Sequence, residues 1–223
     1  MRILVIVAHP DDEVIGLGGT LHKLSRLGAQ IHVLFLTDGR SSRKNYNIKD
    51  DIITKKSIEG ASRILKYSYI QLKYKDNQLD KYPLLKLVKE CEKAINLFKP
   101  DILYTHWYHD INIDHQITCR AALTAARPIQ GNNNIKKVFE FETLSETEWT
   151  IDNDTFFPNF FSVLTDSDIY VKQKALESYD SEMHKETHPR SYQIIKLNAK
   201  VWGAKVGKDF AEALILFRGI DQK

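Results

Sequence analysis

Two stretches of the chain concentrate side chains able to do chemistry: His9-Pro10-Asp11-Asp12-Glu13, and His106-Trp107-Tyr108-His109-Asp110-Ile111-Asn112-Ile113-Asp114-His115. Each begins where an apolar run stops, residues 3–8 in the first case and 102–104 in the second. Charged groups at the end of a buried strand are costly to desolvate unless something pairs with them. Imidazole and carboxylate together suit a divalent cation, zinc in particular. His9 and Asp12 stand three apart across Pro10, which stiffens the turn, and His115 at the start of a later helix offers a third ligand. Three protein ligands leave one position open to water, the pattern of a catalytic rather than a structural zinc site. Zinc brings the pKa of such a water to roughly 7, within reach of a neighbouring carboxylate base. Adjacent carboxylates point differently, so one of Asp11 and Asp12 can ligate while the other stays free. The plainer reading is that Asp11-Asp12-Glu13 only caps the helix that follows. A second cluster at an equivalent strand end weighs against it.

The elements that must position these clusters alternate. Residues 2–7 read as a strand buried on both faces, because the apolar run does not alternate. A helix over 18–26, a strand over 30–36 and a polar loop over 40–47 follow, then a helix over about 50–65 and a strand over 67–72. After a loop over 73–80, Leu84, Leu87, Val88, Cys91, Ala94, Ile95 and Phe98 recur at helical spacing up to Pro100. Residues 101–105 form the next strand, 114–126 a helix, 131–134 a turn and 137–142 a strand. A loop through 157–159, helices over 168–179 and 191–204, and a last strand over 213–218 complete the reading. Strands alternating with helices predict a three-layer α/β fold, a mostly parallel sheet with helices on both faces. Ligands of such sheets bind beyond the carboxyl ends of the strands, where the loops at 9–13, 37–40, 73–80 and 106–115 gather.

With 223 residues, the chain reads as one domain, 1–223. A net charge of +3 and the lack of a dense Lys/Arg block with interleaved aromatics give no footprint for nucleic acid. No apolar stretch approaches the ~18 residues of a membrane span, and the start of the chain lacks a signal-peptide pattern. Cys91 and Cys119 lie in helical patterns without CxxC spacing, as buried reduced thiols of a cytoplasmic protein would. Gly16-Leu17-Gly18-Gly19 lacks the nucleotide-binding fingerprint, so close helix–sheet packing is the expected reason for it. The aromatic residues Trp107, Tyr108, Trp149, Phe156 and Phe157 suit sugar faces, core or a subunit interface, and homo-oligomerisation stays open.

Ala8-His9-Pro10-Asp11-Asp12-Glu13 followed by Gly16-Leu17-Gly18-Gly19 resembles the N-terminal signature of the LmbE-like, or PIG-L, family of zinc-dependent N-deacetylases. The likeness continues through Thr37-Asp38-Gly39, Asp76-Asn77-Gln78-Leu79-Asp80, Asn112-Ile113-Asp114-His115, residues 142–149 and His188-Pro189-Arg190-Ser191. The resemblance implies a Rossmann-like fold and activity on N-acetylated sugars or glycoconjugates. It places the metal ligands on His9, Asp12 and His115 and the general base on Asp11. Two departures matter. Many members carry a His where this chain has Asn112, whose amide donates a hydrogen bond to an oxyanion but delivers no proton. Returning the proton to the leaving amine then falls to Asp11, with His106 second and His109 also near; Asp114 is expected to orient His109 or a ligand. Lys56 stands where many members carry an Arg before Glu59, losing bidentate recognition. Asp76, Asn77, His188 and Arg190 complete the expected substrate contacts.

These readings combine into a zinc hydrolase that removes an N-acetyl group from an amino sugar, with Fe²⁺ or Co²⁺ as alternative metals. Its rivals are a Mg²⁺-dependent regulatory module and a glycan binder without catalysis. The module needs an acceptor Asp at the end of the third strand, and none stands there before Asp76. Its metal also prefers oxygen ligands to imidazole.

Overall fold

The first strand, β1 (Arg2–Val7), is apolar at successive positions because both of its faces are covered. Ile3, Val5 and Val7 point into one core layer, and Leu4 and Ile6 into the other. In the computed structural model, which describes residues 1–128, 135–150 and 154–221, β1 sits near the middle of a seven-stranded sheet. Along the chain follow α1 (Asp12–Arg26), β2 (Gln30–Thr37), α2 (Ile48–Leu65), β3 (Ser68–Tyr74), α3 (Leu84–Phe98), β4 (Ile102–His106), α4 (Ile113–Ala125) and β5 (Lys137–Phe141). Then come β6 (Phe160–Leu164), α5 (Asp166–Leu176), α6 (Tyr192–Lys205) and β7 (Phe210–Gly219). The strand order is β3-β2-β1-β4-β5-β7-β6. Strands β1 to β5 pair in parallel, and β7 alone runs against its neighbours. The fold is the expected Rossmann-like, three-layer α/β arrangement.

Side chains of α1, α2 and α5 fill one core layer with Ile195 of α6, while α3 and α4 fill the other. The chain leaves β1 towards β2 on one side and returns as β4 on the other, so the crevice between the ends of β1 and β4 is the topological switch point. None of the described helices is long and apolar enough to cross a membrane.

Helix α1 begins at Asp12, six residues earlier than the glycines suggest. Gly16 and Gly19 are helical because the helix must lie tight on its neighbours. A Cβ on Gly16 would stand 2.2 Å from Phe141 Cδ2, and one on Gly19 2.5 Å from Leu164 Cδ1. Helix α2 starts at Ile48, where Asn47 and Asp50 form a capping box. The helix expected over 168–179 is α5, opened by a Thr165/Asp168 capping box, followed by a 3-10 stretch (Glu177–Glu182). Strand β6 follows the loop expected through 157–159, at residues to which the sequence assigns no element. It is a five-residue edge strand whose residues do not alternate apolar and polar, and its pairing partner β7 lies far along the chain. The turn expected over 131–134 lies outside the described residues.

Candidate active site

β1 and β4 deliver their terminal residues to the crevice. His9 comes from the β1–α1 turn, and Asp12 and His115 from the first turns of α1 and α4. Their facing atoms form a near-equilateral triangle: His9 Nδ1 to His115 Nε2 is 3.2 Å, and Asp12 Oδ2 stands 3.4 Å from each. A tetrahedral ion with bonds of about 2.0–2.1 Å spaces its ligands about 3.3–3.4 Å apart, so the donors fit zinc in both type and separation. Asp12 is 0% exposed; its Oδ2 also accepts the His9 N–H at 2.8 Å, and its Oδ1 has no hydrogen-bond partner. Burial alone would raise the Asp12 carboxyl, but the imidazoles of His115 and His106 outweigh it and hold it well below the usual range.

The outward nitrogen of each histidine meets two carboxylates. His9 Nε2 stands 3.2 Å from Asp76 Oδ1 and 3.3 Å from Asp114 Oδ2. His115 Nδ1 stands 3.2 Å from Glu146 Oε2 and 3.3 Å from Asp110 Oδ2. The Asp114 contact is a hydrogen bond, and such a partner fixes which ring nitrogen of His9 keeps its hydrogen and raises the basicity of the other, while the carboxylates beside His115 Nδ1 act on that ring as close charges. They are themselves anchored. Asp114 Oδ1 accepts from the Leu79 amide at 2.9 Å, and Asp110 Oδ2 from the Thr147 hydroxyl at 2.7 Å. Burial works against ionisation of Asp76 and Asp110, yet His9 and His115 respectively keep each carboxyl below its ordinary range. For His115, burial is overcome by Asp12, Glu146 and Asp110, and its pKa is pushed up to about 10 without a metal.

Asp11 occupies the N-cap of α1 with φ of 121°, a conformation rare outside glycine that costs about 1–3 kcal/mol. Its carboxylate makes no capping bond. Instead Oδ2 lies 3.3 Å from Arg190 Nη1, whose Nη2 donates to Glu146 Oε1 at 2.8 Å. Burial pushes the Asp11 carboxyl well above its ordinary value against the pull of Arg190, the direction a general base needs. Asp11, His9, Asp76, Asn77, Asn112, Glu146 and Arg190 line a polar cavity of about 190 Å³.

The remaining expected residues fall differently. Asn112 caps α4 through Oδ1, which accepts from Asp114 N at 2.9 Å; that bond assigns the amide and leaves Nδ2 as a donor at the cavity. His106 is 0% exposed and stacks on His115 at 3.8 Å. Its Nε2 accepts the Ala8 N–H at 3.0 Å, so the ring is neutral, and burial lowers its pKa to about 4. It lies beneath the ligands rather than facing the cavity. Asp114 orients His9 and not His109, which pairs with Asp154 at 2.8 Å. Lys56 is exposed on α2 and does not line the cavity. His188 does not reach the cavity either; its Nδ1 accepts the Arg190 N–H at 3.0 Å and so shapes the loop that presents Arg190. Glu146 and Asp110 stand beside His115 and Glu13 holds the Asp11 amide, although the residue patterns assign these three no role. The position of Asp110 and Glu146 beyond the ends of β4 and β5 is the signal that points to them.

Beside the polar cavity lies a groove of about 1060 Å³, walled by Trp149, Phe156, Phe157, Phe161 and Trp202. At its floor Glu142 Oε1 accepts from Asn198 Nδ2 and Trp202 Nε1, both at 2.6 Å.

Sequence comparison matches residues 4–126 to the PIG-L family model, GlcNAc-PI de-N-acetylase. The diacetylchitobiose deacetylase of Thermococcus kodakarensis is 25% identical over 98% of this chain and 84% of its own length. Among solved structures, the N,N'-diacetylchitobiose deacetylase of Pyrococcus horikoshii superposes with a TM-score of 0.79 at 22% identity, covering 98% of this chain and 84% of its own. The same fold carries 4-carboxy-2-hydroxymuconate hydratase of Pseudomonas putida, with TM-score 0.77, 18% identity and coverage of 100% and 98%. With the family model matched over more than half its length and the metal-type triangle built from that matched segment, this chain belongs to the PIG-L family of deacetylases.

Proposed function

We propose that the protein is a zinc-dependent hydrolase that removes the acetyl group from an N-acetylated amino sugar or glycoconjugate. The observation that carries this reading is the triangle of His9 Nδ1, Asp12 Oδ2 and His115 Nε2 beside the buried Asp11 carboxylate, which is outside the triangle and held by Arg190. Two imidazoles in the donor set favour zinc over magnesium, which speaks against the regulatory-module alternative. A bound zinc supplies a Lewis acid that acidifies water and polarises the amide carbonyl.

The chain's own residues do the rest. Asp11 takes a proton from the attacking water as oxygen bonds to the acetyl carbon. Asn112 Nδ2 donates to the developing oxyanion, a contact of the kind that is worth about 3–4 kcal/mol in other hydrolases. The C–N bond then breaks, and the proton held by Asp11 passes to the departing amine, leaving acetate and a free amino sugar. Arg190 holds the Asp11 carboxylate in place through both changes of charge, and Asn77 at the rim offers hydrogen bonds to sugar hydroxyls.

The test is amine release from free, β-linked and nucleotide-linked N-acetylglucosamine, with zinc-loaded and chelated protein side by side. Release that needs the metal supports the reading. Zinc bound at one equivalent with no amine released from any member of the panel would count against it, and would bring forward the hydratase chemistry that the same fold supports.

A further inference from the structure

Glu13 is 0% exposed in an apolar layer, and the mechanism above gives it no step. Its Oε1 accepts from two buried phenols, Tyr67 Oη at 2.7 Å and Tyr179 Oη at 2.9 Å. Tyr67 stands just before β3 and Tyr179 in the 3-10 stretch after α5, so two distant elements grip one oxygen. The other oxygen, Oε2, accepts the backbone N–H of Asp11 at 3.1 Å. That amide belongs to the residue with φ of 121°.

An aspartate at a helix N-cap ordinarily turns its carboxylate onto the first-turn amides. Asp11 does not, and only its backbone carbonyl serves the turn, accepting from Val14 N and Ile15 N at 2.9 Å. In a capping box the acidic side chain reaches back to the N-cap amide from the third helical residue. Here it reaches back from the second, and the cap residue's own side chain is released.

We propose that Glu13 is a positioning residue: braced by Tyr67 and Tyr179, it holds the Asp11 backbone in its unfavourable conformation and so turns the Asp11 carboxylate away from helix capping and towards Arg190 and the cavity. This rests on Asp11 being the base. Without the Oε2 acceptor, Asp11 relaxes to negative φ and its carboxylate caps α1.

The experiment compares Glu13→Gln, which keeps an acceptor for the Asp11 amide, with Glu13→Met, which fills the same space without one. N,N'-diacetylchitobiose serves as the probe. Glu13→Met is expected to lose about 10²-fold in kcat, the scale of an ångström-level misplacement, with KM and zinc stoichiometry unchanged. Glu13→Gln is expected to stay within about threefold of the parent, because the hydrogen bond survives. Placed on Asp11→Asn, Glu13→Met is expected to add no further loss, since both act through one group. A merely structural Glu13 would lower the melting temperature and leave kcat alone, or add its loss to that of Asp11→Asn, and either result overturns the proposal. A crystal structure of Glu13→Met tests it without turnover: Asp11 still at φ near 121° with its carboxylate on Arg190 overturns it. If instead Asp11→Asn turns over like the parent, the base assignment itself has failed.

Discussion

The polar cavity at the ends of β1 and β4 and the aromatic groove after β5 are built on opposite principles. The cavity of about 190 Å³ is lined by polar groups that face partners of opposite character: carboxylate on imidazole, guanidinium on carboxylate, amide on carboxylate. The groove of about 1060 Å³ is walled mainly by rings and aliphatic side chains, with the Glu142 carboxylate held between Asn198 and Trp202. Phe157 and Trp149 stand 81% and 64% exposed there. The cavity rests on the ends of the central strands β1 and β4, whose neighbours on both sides hold them in register. The groove rests on the segment after β5 and on α6. Chemistry that tolerates little positional error is thus anchored on the rigid centre of the sheet, and adaptable apolar surface is left to the periphery.

The largest effect that sharpens this contrast is on the cavity side. Asp11→Asn is expected to lower kcat by roughly 10²–10⁴-fold with zinc still bound at parent stoichiometry; loss of the metal instead would place Asp11 among the ligands. Next come the outer carboxylates. Asp114→Asn and Asp110→Asn are each expected to weaken zinc by about 10–100-fold in a competition titration. Unchanged affinity would mean that the histidines orient themselves.

On the groove side the buried carboxylate matters for stability rather than catalysis. Burial pushes Glu142 from 4.5 up to about 7, against hydrogen bonds from Asn198 and Trp202. The folded state therefore binds this proton more tightly than the unfolded chain. The stability it contributes is complete below about pH 4.5 and falls as pH rises through about 7. Glu142→Gln should match the parent at pH 4 and exceed it at pH 8 by on the order of 2 kcal/mol in urea unfolding, after allowance for water at the groove face. A constant difference across that range would break the account. The smallest effect is at the rim. Phe157→Ser should change stability by less than about 0.5 kcal/mol and leave turnover of free N-acetylglucosamine as it was.

The same contrast explains what could be read from the residues alone. His9, Asp11, Asp12 and His115 announce themselves because a buried strand ending in charge needs a partner, and strand ends are local in sequence. The parallel sheet was equally legible from alternating patterns. The first six residues of helix α1 escape the sequence pattern because they carry the charged cluster and Gly16, whose place in the helix answers to Phe141 on another element. Strand β6 was invisible because its only pairing partner lies some fifty residues later. His106 offered an imidazole in the right cluster, but its direction was decided by the Ala8 amide across two strands. Glu146 carried no distinguishing pattern, and its meaning comes from His115 and Arg190, which fold up against it.

The measurement that bears most directly on the central claim is zinc K-edge absorption on protein reconstituted with one equivalent of zinc. The geometry of His9 Nδ1, Asp12 Oδ2 and His115 Nε2 predicts a shell of nitrogen and oxygen at about 2.0–2.1 Å with two imidazole signatures, which Asp12→Ala disrupts. A sulfur shell at about 2.3 Å, or a spectrum untouched by Asp12→Ala, would contradict it.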